Sequence, residues 1–317
     1  LPKSDSPSVG LHIVYPTATE ATTTITTNNN DTDKPPSQQH KRHRSSSSSS
    51  SSIAPLVASV TEKGTASLYN TSTKTIVSTW STPPNVECTA LHPHLSSLAA
   101  ACKGTELRIY DIATGTQTYA AKGGKPDKVG LVDKPHNTAI AFLTKSSNAD
   151  DDGRQHVLVG THKHKVRLYD PAAGKRPQMD LSFGETRITA IAPEPGSDGN
   201  RCWVATGMGQ LEVLDMRAGK FMGAIRGIAG SIRGLKVSKV SSIISSDDED
   251  SDRNVIVSVG LDRWLRVHDC STRALLGKVY VKTQMNSVDF LPGGGGGGGG
   301  EEGEEKKERR KKKEARE

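Results

Sequence analysis

The sequence predicts an all-β fold, a β-propeller built from repeated four-stranded blades, and three observations carry that expectation. Five segments share one ending, each follows a short apolar run rich in small residues, and the units recur at spacings of 41 to 59 residues. Strand-like alternation at that spacing is the arithmetic of a propeller blade with loops of unequal length.

The shared endings are ASLYN (66–70), LRIYD (107–111), VRLYD (166–170), LEVLD (211–215) and LRVHD (265–269). Each reads apolar, polar, apolar, large, then Asp or Asn, the period-two pattern of a strand with one buried face. The final Asp or Asn suits a turn, because its short side chain can accept from backbone N–H groups just downstream. In three units a glycine stands four residues further on, at Gly115, Gly174 and Gly219, where a positive φ costs least. His268 thus fills the slot taken elsewhere by Tyr69, Tyr110, Tyr169 and Leu214.

The preceding runs are LVASVTE (56–62), LAAACKG (98–104), VLVGTHK (157–163), CWVATGM (202–208) and VIVSVGL (255–261), each joined to its partner by a tight hairpin link. Opening strands are expected at VECTALHP (86–93), KVGLVDKP (128–135), RITAIAPE (187–194) and SIRGLKVS (231–238), and an outer, fourth strand after each turn, as at TIVSTW (75–80) and KFMGAI (220–225). The loops NADDDG near 148 and SSDDEDSD near 245 account for the longer spacings.

GLHIVYP (10–16) fits as the opening strand of the first unit, and MNSVDFLP (285–292) as an opening strand with nothing after it. An isolated inner strand cannot satisfy its backbone groups. The expectation is therefore about five blades plus one closing strand over residues 9–292. On this reading residues 1–8 are an N-terminal remnant, Leu1 is not the natural start, and upstream residues complete the ring.

Only 33% of the chain is apolar, and its mean hydropathy is −0.53. The deficit lies in a Thr/Ser-rich insertion at 17–52, in the acidic loop 245–252, and in the polyglycine linker and Lys/Glu-rich tail of 293–317. The insertion and the tail cannot bury enough apolar surface to fold and are expected to be disordered. Net charge is +7 and the pI about 9.1. The densest basic run comprises Lys306, Lys307, Arg309, Arg310, Lys311, Lys312 and Lys313, with HKRHR (40–44) as a second. Such runs suit a nuclear or nucleolar address or loose contact with RNA phosphates. No run approaches the length of a membrane span, and no membrane partner is expected. The four cysteines form no CxxC pair, and a reducing compartment is the simplest reading.

The string GLDRWLRVHD (260–269) has the residue types of a catalytic site, but its register argues otherwise. Asp262 and Arg263 fall in the hairpin link, and Leu265 and Val267 are expected to face inward. Arg266 is expected to point outward beside Arg108 and Arg167 of other blades. His268 becomes a packing residue and Asp269 a turn residue. The pair of histidines in THKHK (161–165) falls in a solvent-facing hairpin, HPH (92–94) is a strand end, and GMGQL is a hairpin, not a phosphate cradle. A hydrolase with a metal in the central channel would need acids or histidines at the mouths of the opening strands, which offer few. No catalytic residue, metal, cofactor or small-molecule substrate is expected.

Three strings go beyond generic blade patterning: GIAGSIRGL (227–235), GLDRWLRVHD, and KVYVKTQMNSV (278–288). With KVRLYDPAAGKRP (165–177), FGETRITA (183–190) and GQLEVLDMRAGKFMG (209–223), they resemble one WD-repeat family of nucleolar ribosome-assembly factors. Its animal and fungal members join early precursors of the large (60S) subunit. The likeness covers residues 128–290 closely and 53–127 more loosely. Neither the Gly-His nor the Trp-Asp dipeptide of generic WD repeats is present, and the Thr/Ser insertion, acidic loop and polyglycine linker depart from the family. The resemblance implies a seven-bladed ring when complete, a nucleolar location, no enzymatic activity, docking among pre-60S assembly factors with contact to ribosomal RNA, and release by an AAA-type ATPase. It offers Ser231, Arg233, Asp262, Arg263, Lys278, Lys282 and Gln284 as partner-binding candidates. A generic WD-repeat adaptor that binds a peptide or protein in a nuclear complex is the second reading.

Overall fold

A computed structural model describes residues 8–14, 56–93, 96–124, 126, 130, 134–143, 155–240 and 253–290. These form twenty strands in five antiparallel four-stranded sheets. The first blade contains β1 (Ser8–Val14), β2 (Leu56–Thr61), β3 (Thr65–Asn70) and β4 (Thr75–Ser81). The second contains β5 (Val86–Leu91), β6 (Ser97–Cys102), β7 (Arg108–Asp111) and β8 (Gln117–Ala120). The third contains β9 (Asn137–Leu143), β10 (His156–Thr161), β11 (Lys165–Tyr169) and β12 (Met179–Ser182). The fourth contains β13 (Ile188–Pro193), β14 (Arg201–Thr206), β15 (Leu211–Asp215) and β16 (Lys220–Ile225). The fifth contains β17 (Ile232–Val240), β18 (Arg253–Gly260), β19 (Trp264–Asp269) and β20 (Leu275–Tyr280). In each sheet the strands lie in chain order, and the opening strands β1, β5, β9, β13 and β17 are neighbours in succession. That is the radial order of a propeller.

Side-chain alternation explains why the second strand of each blade is the most buried. Leu98, Ala100 and Cys102 of β6 pack toward the first blade, while Ala99 between them packs toward the third. In β10, Val157 and Val159 face back and Leu158 faces forward; in β14, Cys202 and Val204 face back and Trp203 and Ala205 forward. A sheet covered on both faces needs apolar residues at consecutive positions, which is why these strands read as unbroken apolar runs. Small residues set how closely the sheets approach: a Cβ on Gly160 would collide with Ile188 of the next blade.

The Asp/Asn turn recurs in every blade. Asn70 accepts from Ser72 N at 2.9 Å, Asp111 from Ala113 N at 3.1 Å, and Asp170 from Ala172 N at 2.9 Å. Asp215 accepts from Arg217 N at 2.8 Å, and Asp269 from Ser271 N at 2.8 Å. Gly115 (φ 69°) and Gly219 (φ 60°) are left-handed, Gly174 has φ 151°, and the two units without glycine place Lys74 (φ 56°) and Arg273 (φ 61°) in the left-handed conformation.

Several expectations need correction. The third blade opens with β9, not with 128–135; of that run only Gly130, Lys134 and Pro135 are described. Both stretches alternate, but hydrogen bonds from Gly104 N to Pro135 O and from His162 N to His136 O tie the residues just before β9 into the hairpins. The described part of the expected closing strand, Met285–Phe290, belongs to no β-ladder. It runs beside β17, where a Cβ on Gly234 would lie 2.9 Å from Ser287 Cα and where Lys236 pairs with Asp289 at 3.0 Å. A ladder there would require a second strand against it, and none is found among the described residues. Arg167 does not point outward. It is 4% exposed and bonds Glu106 at 3.4 Å and Asp180 at 3.2 Å, because the neighbouring blade covers its face of β11. Arg266 is folded back onto Asp262 at 2.6 Å instead of standing in solvent. Leu265 and Val267 are only half-buried. Strands β8, β12 and β20 follow the turns of their units as the fourth strands that the repeat predicts. The insertion 17–52, the acidic loop 245–252 and the segment 293–317 lie outside the described residues.

Hairpin geometry yields a stability contrast. Gly209 has φ 89°, and a Cβ there would sit 2.7 Å from the carbonyl oxygens of both Ile228 and Gly230. Gly219 has φ 60° with only Met179 Sδ near, at 3.8 Å. Gly209→Ala is expected to cost about 3 kcal/mol by combined strain and clash, and Gly219→Ala about 1 kcal/mol by backbone conformation alone, read as urea midpoints.

Candidate interaction surface

The hairpins between second and third strands share one end of the array with the starts of the opening strands. One hydrogen bond, repeated in four blades, fixes that relation. Lys103 N donates to Asn85 O, His162 N to His136 O, Gly207 N to Arg187 O, and Leu261 N to Ser231 O, at 2.9 to 3.0 Å. Asn85, His136, Arg187 and Ser231 are therefore equivalent positions ringing this face.

The predicted site residues fall into two groups. In the last hairpin, Asp262 accepts from Trp264 N at 3.2 Å and pairs with Arg266, so its carboxylate is committed to holding the link. Arg263 adopts φ 65° in the place where Gly64 and Gly209 stand in other blades, and its exposed guanidinium reaches Tyr280 Oη at 3.4 Å. Lys278 lies on β20, opposite Arg266, with its ammonium 5.3 Å from the centre of the Trp264 ring. Val281 N bonds Arg263 O at 2.9 Å, which brings Lys282 to the same edge; Lys282 and Gln284 are exposed.

The second group lies nearer the ring's centre. Ser231 Oγ and Arg233 Nε are buried with no hydrogen-bond partner among the described residues. Burial, and then the nearby Arg187, lower the pKa of Arg233. Arg187 was not among the predicted site residues, although aligning RITAIAPE with SIRGLKVS places it opposite Ser231. The basic-tail candidates Lys306, Lys307, Arg309, Arg310, Lys311, Lys312 and Lys313 lie outside the described residues.

The residues that suggested catalysis have structural employment. His268 is 3% exposed, and burial followed by Arg266 lowers its pKa. Burial of Asp269 opposes its ionisation, but hydrogen bonds from Ser271 and Thr272 outweigh this and hold its carboxyl below the usual range. Its second oxygen pairs with Arg253 at 3.2 Å. His162 is exposed, with its ring 4.6 Å from that of His136, which bonds Glu87 at 2.8 Å. Among the described residues no three His, Cys, Asp or Glu side chains are grouped to hold a metal.

At the opposite end, a cavity of about 510 Å³ lies between the opening strands and Ser287–Asp289. Its ionisable lining is Glu194, Lys236 and Asp289. Glu194 accepts from Trp203 Nε1 at 3.2 Å and pairs with Arg201 at 3.2 Å, while Asn254 of the next blade donates to Pro195 O at 3.0 Å. This network clamps the fourth blade to the fifth.

The repeated blades define a WD-repeat β-propeller. Within that class the chain is similar to WD repeat-containing protein 74 of Homo sapiens, 33% identical over 198 residues, which are 62% of this chain and 45% of that protein. The same protein of Bos taurus is 32% identical over 197 residues, 61% of this chain and 45% of the relative. Ribosome biogenesis protein NSA1 of Meyerozyma guilliermondii is 26% identical over 192 residues, 55% of this chain and 44% of the relative. These relatives bear out the family resemblance drawn from the last blades. The chain spans about half the length of the curated relatives it matches. No family model matches it. No helix of the described residues is long and apolar enough to cross a membrane.

Two substitutions test these assignments. Glu194→Ala strands the buried Trp203 Nε1 and is expected to cost about 2 to 4 kcal/mol, measured by urea unfolding. His268 is harder to protonate folded than unfolded, so its contribution is complete above pH 6.5, the unfolded value, and is lost as pH falls toward the lower folded pKa. His268→Leu, which copies Leu214, should flatten the stability profile below pH 6.5; an unchanged acid slope would contradict the burial argument.

Proposed function

We propose that this chain belongs to a non-enzymatic assembly scaffold in biogenesis of the large ribosomal subunit, acting in the nucleolus. It docks with other assembly factors and ribosomal RNA on precursor particles, and an AAA-type ATPase releases it. The observation that carries this reading is its likeness to a ribosome biogenesis protein and to WD repeat-containing protein 74. The hairpin end supports it physically: Arg233, Arg263, Lys278 and Lys282 present cationic groups there, while Asp262 is neutralised by Arg266. Cations held on a rigid sheet array recognise acidic protein surfaces or phosphates without catalytic machinery.

Gradient sedimentation of the tagged protein, with and without RNase, tests the assignment. Co-migration with large-subunit precursors is expected, and its absence would overturn the reading. Reversing charge with Arg233→Glu and Arg263→Glu together should reduce recovery with precursors about ten-fold while leaving the unfolding midpoint nearly unchanged. Unchanged recovery would count against the hairpin end as the docking surface.

A further inference from the structure

The most unusual chemistry on the hairpin end lies between the fourth and fifth blades, where hydrogen-bond donors gather without acceptors. Thr186 Oγ1, Ser231 Oγ and Arg233 Nε are all buried with no partner among the described residues. Thr186 stands just before β13, and Ser231 and Arg233 at the start of the neighbouring opening strand β17, with the fourth hairpin between them. A Cβ on Gly207 would lie 3.6 Å from Arg187 Cγ and 3.8 Å from Thr186 Oγ1, and one on Gly209 would meet the carbonyls of Ile228 and Gly230, next to Ser231. Gly207 and Gly209 thus leave the hairpin bare between the two groups, apart from the outward-pointing Met208, which is 65% exposed.

The four groups, Arg187 included, carry positive charge only. Among the described residues Arg187 and Arg233 form no ion pair; burial and then Arg187 lower the pKa of Arg233, and burial, His136 and then Arg187 lower that of His162. Lys103 of the second blade adds the smallest of the effects on His162. The nearby carboxylates Glu87 and Asp262 are held by His136 and Arg266; Glu185, two residues before Arg187, is exposed. Buried donors without acceptors, beside repelling guanidiniums, are stabilised by an anion.

We propose that this surface, formed by Thr186, Arg187, Ser231 and Arg233, is a binding site for the carboxylates of an acidic segment of a partner protein. The inference rests on the chain acting as a docking scaffold and names the chemistry that one part of its surface recognises. Two guanidinium forks and two hydroxyls match the planar oxygens of Asp and Glu side chains. No aromatic ring stands among the four to stack a nucleobase, which single-stranded nucleic-acid sites use. Trp264 and Tyr280, one ring pair of this end, lie on the outer strands of the fifth blade with Lys278 over the indole, and His136 and His162 form another in the third blade.

Fluorescence anisotropy on the full chain tests the site, with a labelled hexaglutamate peptide and a labelled uridine hexanucleotide as probes at low salt. The peptide should bind, Arg187→Ala and Arg233→Ala should each weaken it about ten-fold, and Arg187→Lys should lose less because charge remains while the fork is lost. Arg217→Ala, on the exposed turn after β15 at the other end of the sheet, should leave binding unchanged. Failure to bind the peptide, equal weakening by Arg217→Ala, or tighter binding of the hexanucleotide with the same dependence on Arg187 and Arg233 would each overturn the assignment. Sedimentation of Arg187→Ala with precursor particles separates the two levels: peptide binding that fails in a chain still travelling with precursors defeats this site and leaves the scaffold reading standing.

Discussion

No blade of this chain can bury its own apolar faces. A four-stranded sheet exposes two, and the second strands β6, β10 and β14 are apolar at nearly every position, so each requires a sheet on either side. Packing on both faces follows from that requirement, as do the small residues that permit close approach and the clamps that cross between blades. Arg167 is the clearest consequence. A cation in the third position of β11 is buried by the neighbouring blade and needs Glu106 and Asp180 as partners, because leaving it unpaired there would be costly. The fifth blade shows the opposite case: Leu275, Leu276, Val279 and Tyr280 of β20 are exposed, and its forward face meets no sheet among the described residues.

The repeat was legible because its physics is local. Alternation, the Asp/Asn turn and the apolar second strand are encoded within ten residues, so the register of GLDRWLRVHD could be read by comparison with its siblings, and the hairpin at Asp262 and Arg263 follows. What escaped was set between blades. Arg167 and Arg266 alternate as solvent-facing residues should, yet one finds Glu106 across a blade interface and Asp180 on the adjacent strand, and the other finds a carboxylate four residues back. The third opening strand escaped because two alternating runs lie in tandem and only their bonds to the hairpins choose between them. For the candidate site, the cationic residues of the last hairpin were recognisable from the family likeness. Arg187 was not, since its closeness to Arg233 arises from the packing of adjacent blades.

Surface chemistry divides between the two ends of the array. Asp and Asn turns at one end are satisfied by their own backbone, and the cavity there has its acids engaged by Trp203, Arg201 and Lys236. At the hairpin end, Thr186 Oγ1, Ser231 Oγ and Arg233 Nε are without partners among the described residues. A protein that works by being held to others needs such unsatisfied groups on a rigid frame, and the sheet array supplies the rigidity.

Amide hydrogen exchange across the intact chain tests the two-sided packing most directly. Amides of β10 and β14 should exchange slowest, those of β4, β16 and β20 orders of magnitude faster, and those of β18 in between, because one face of its blade is uncovered. Uniform exchange across these strands, or β20 as protected as β14, would contradict the account.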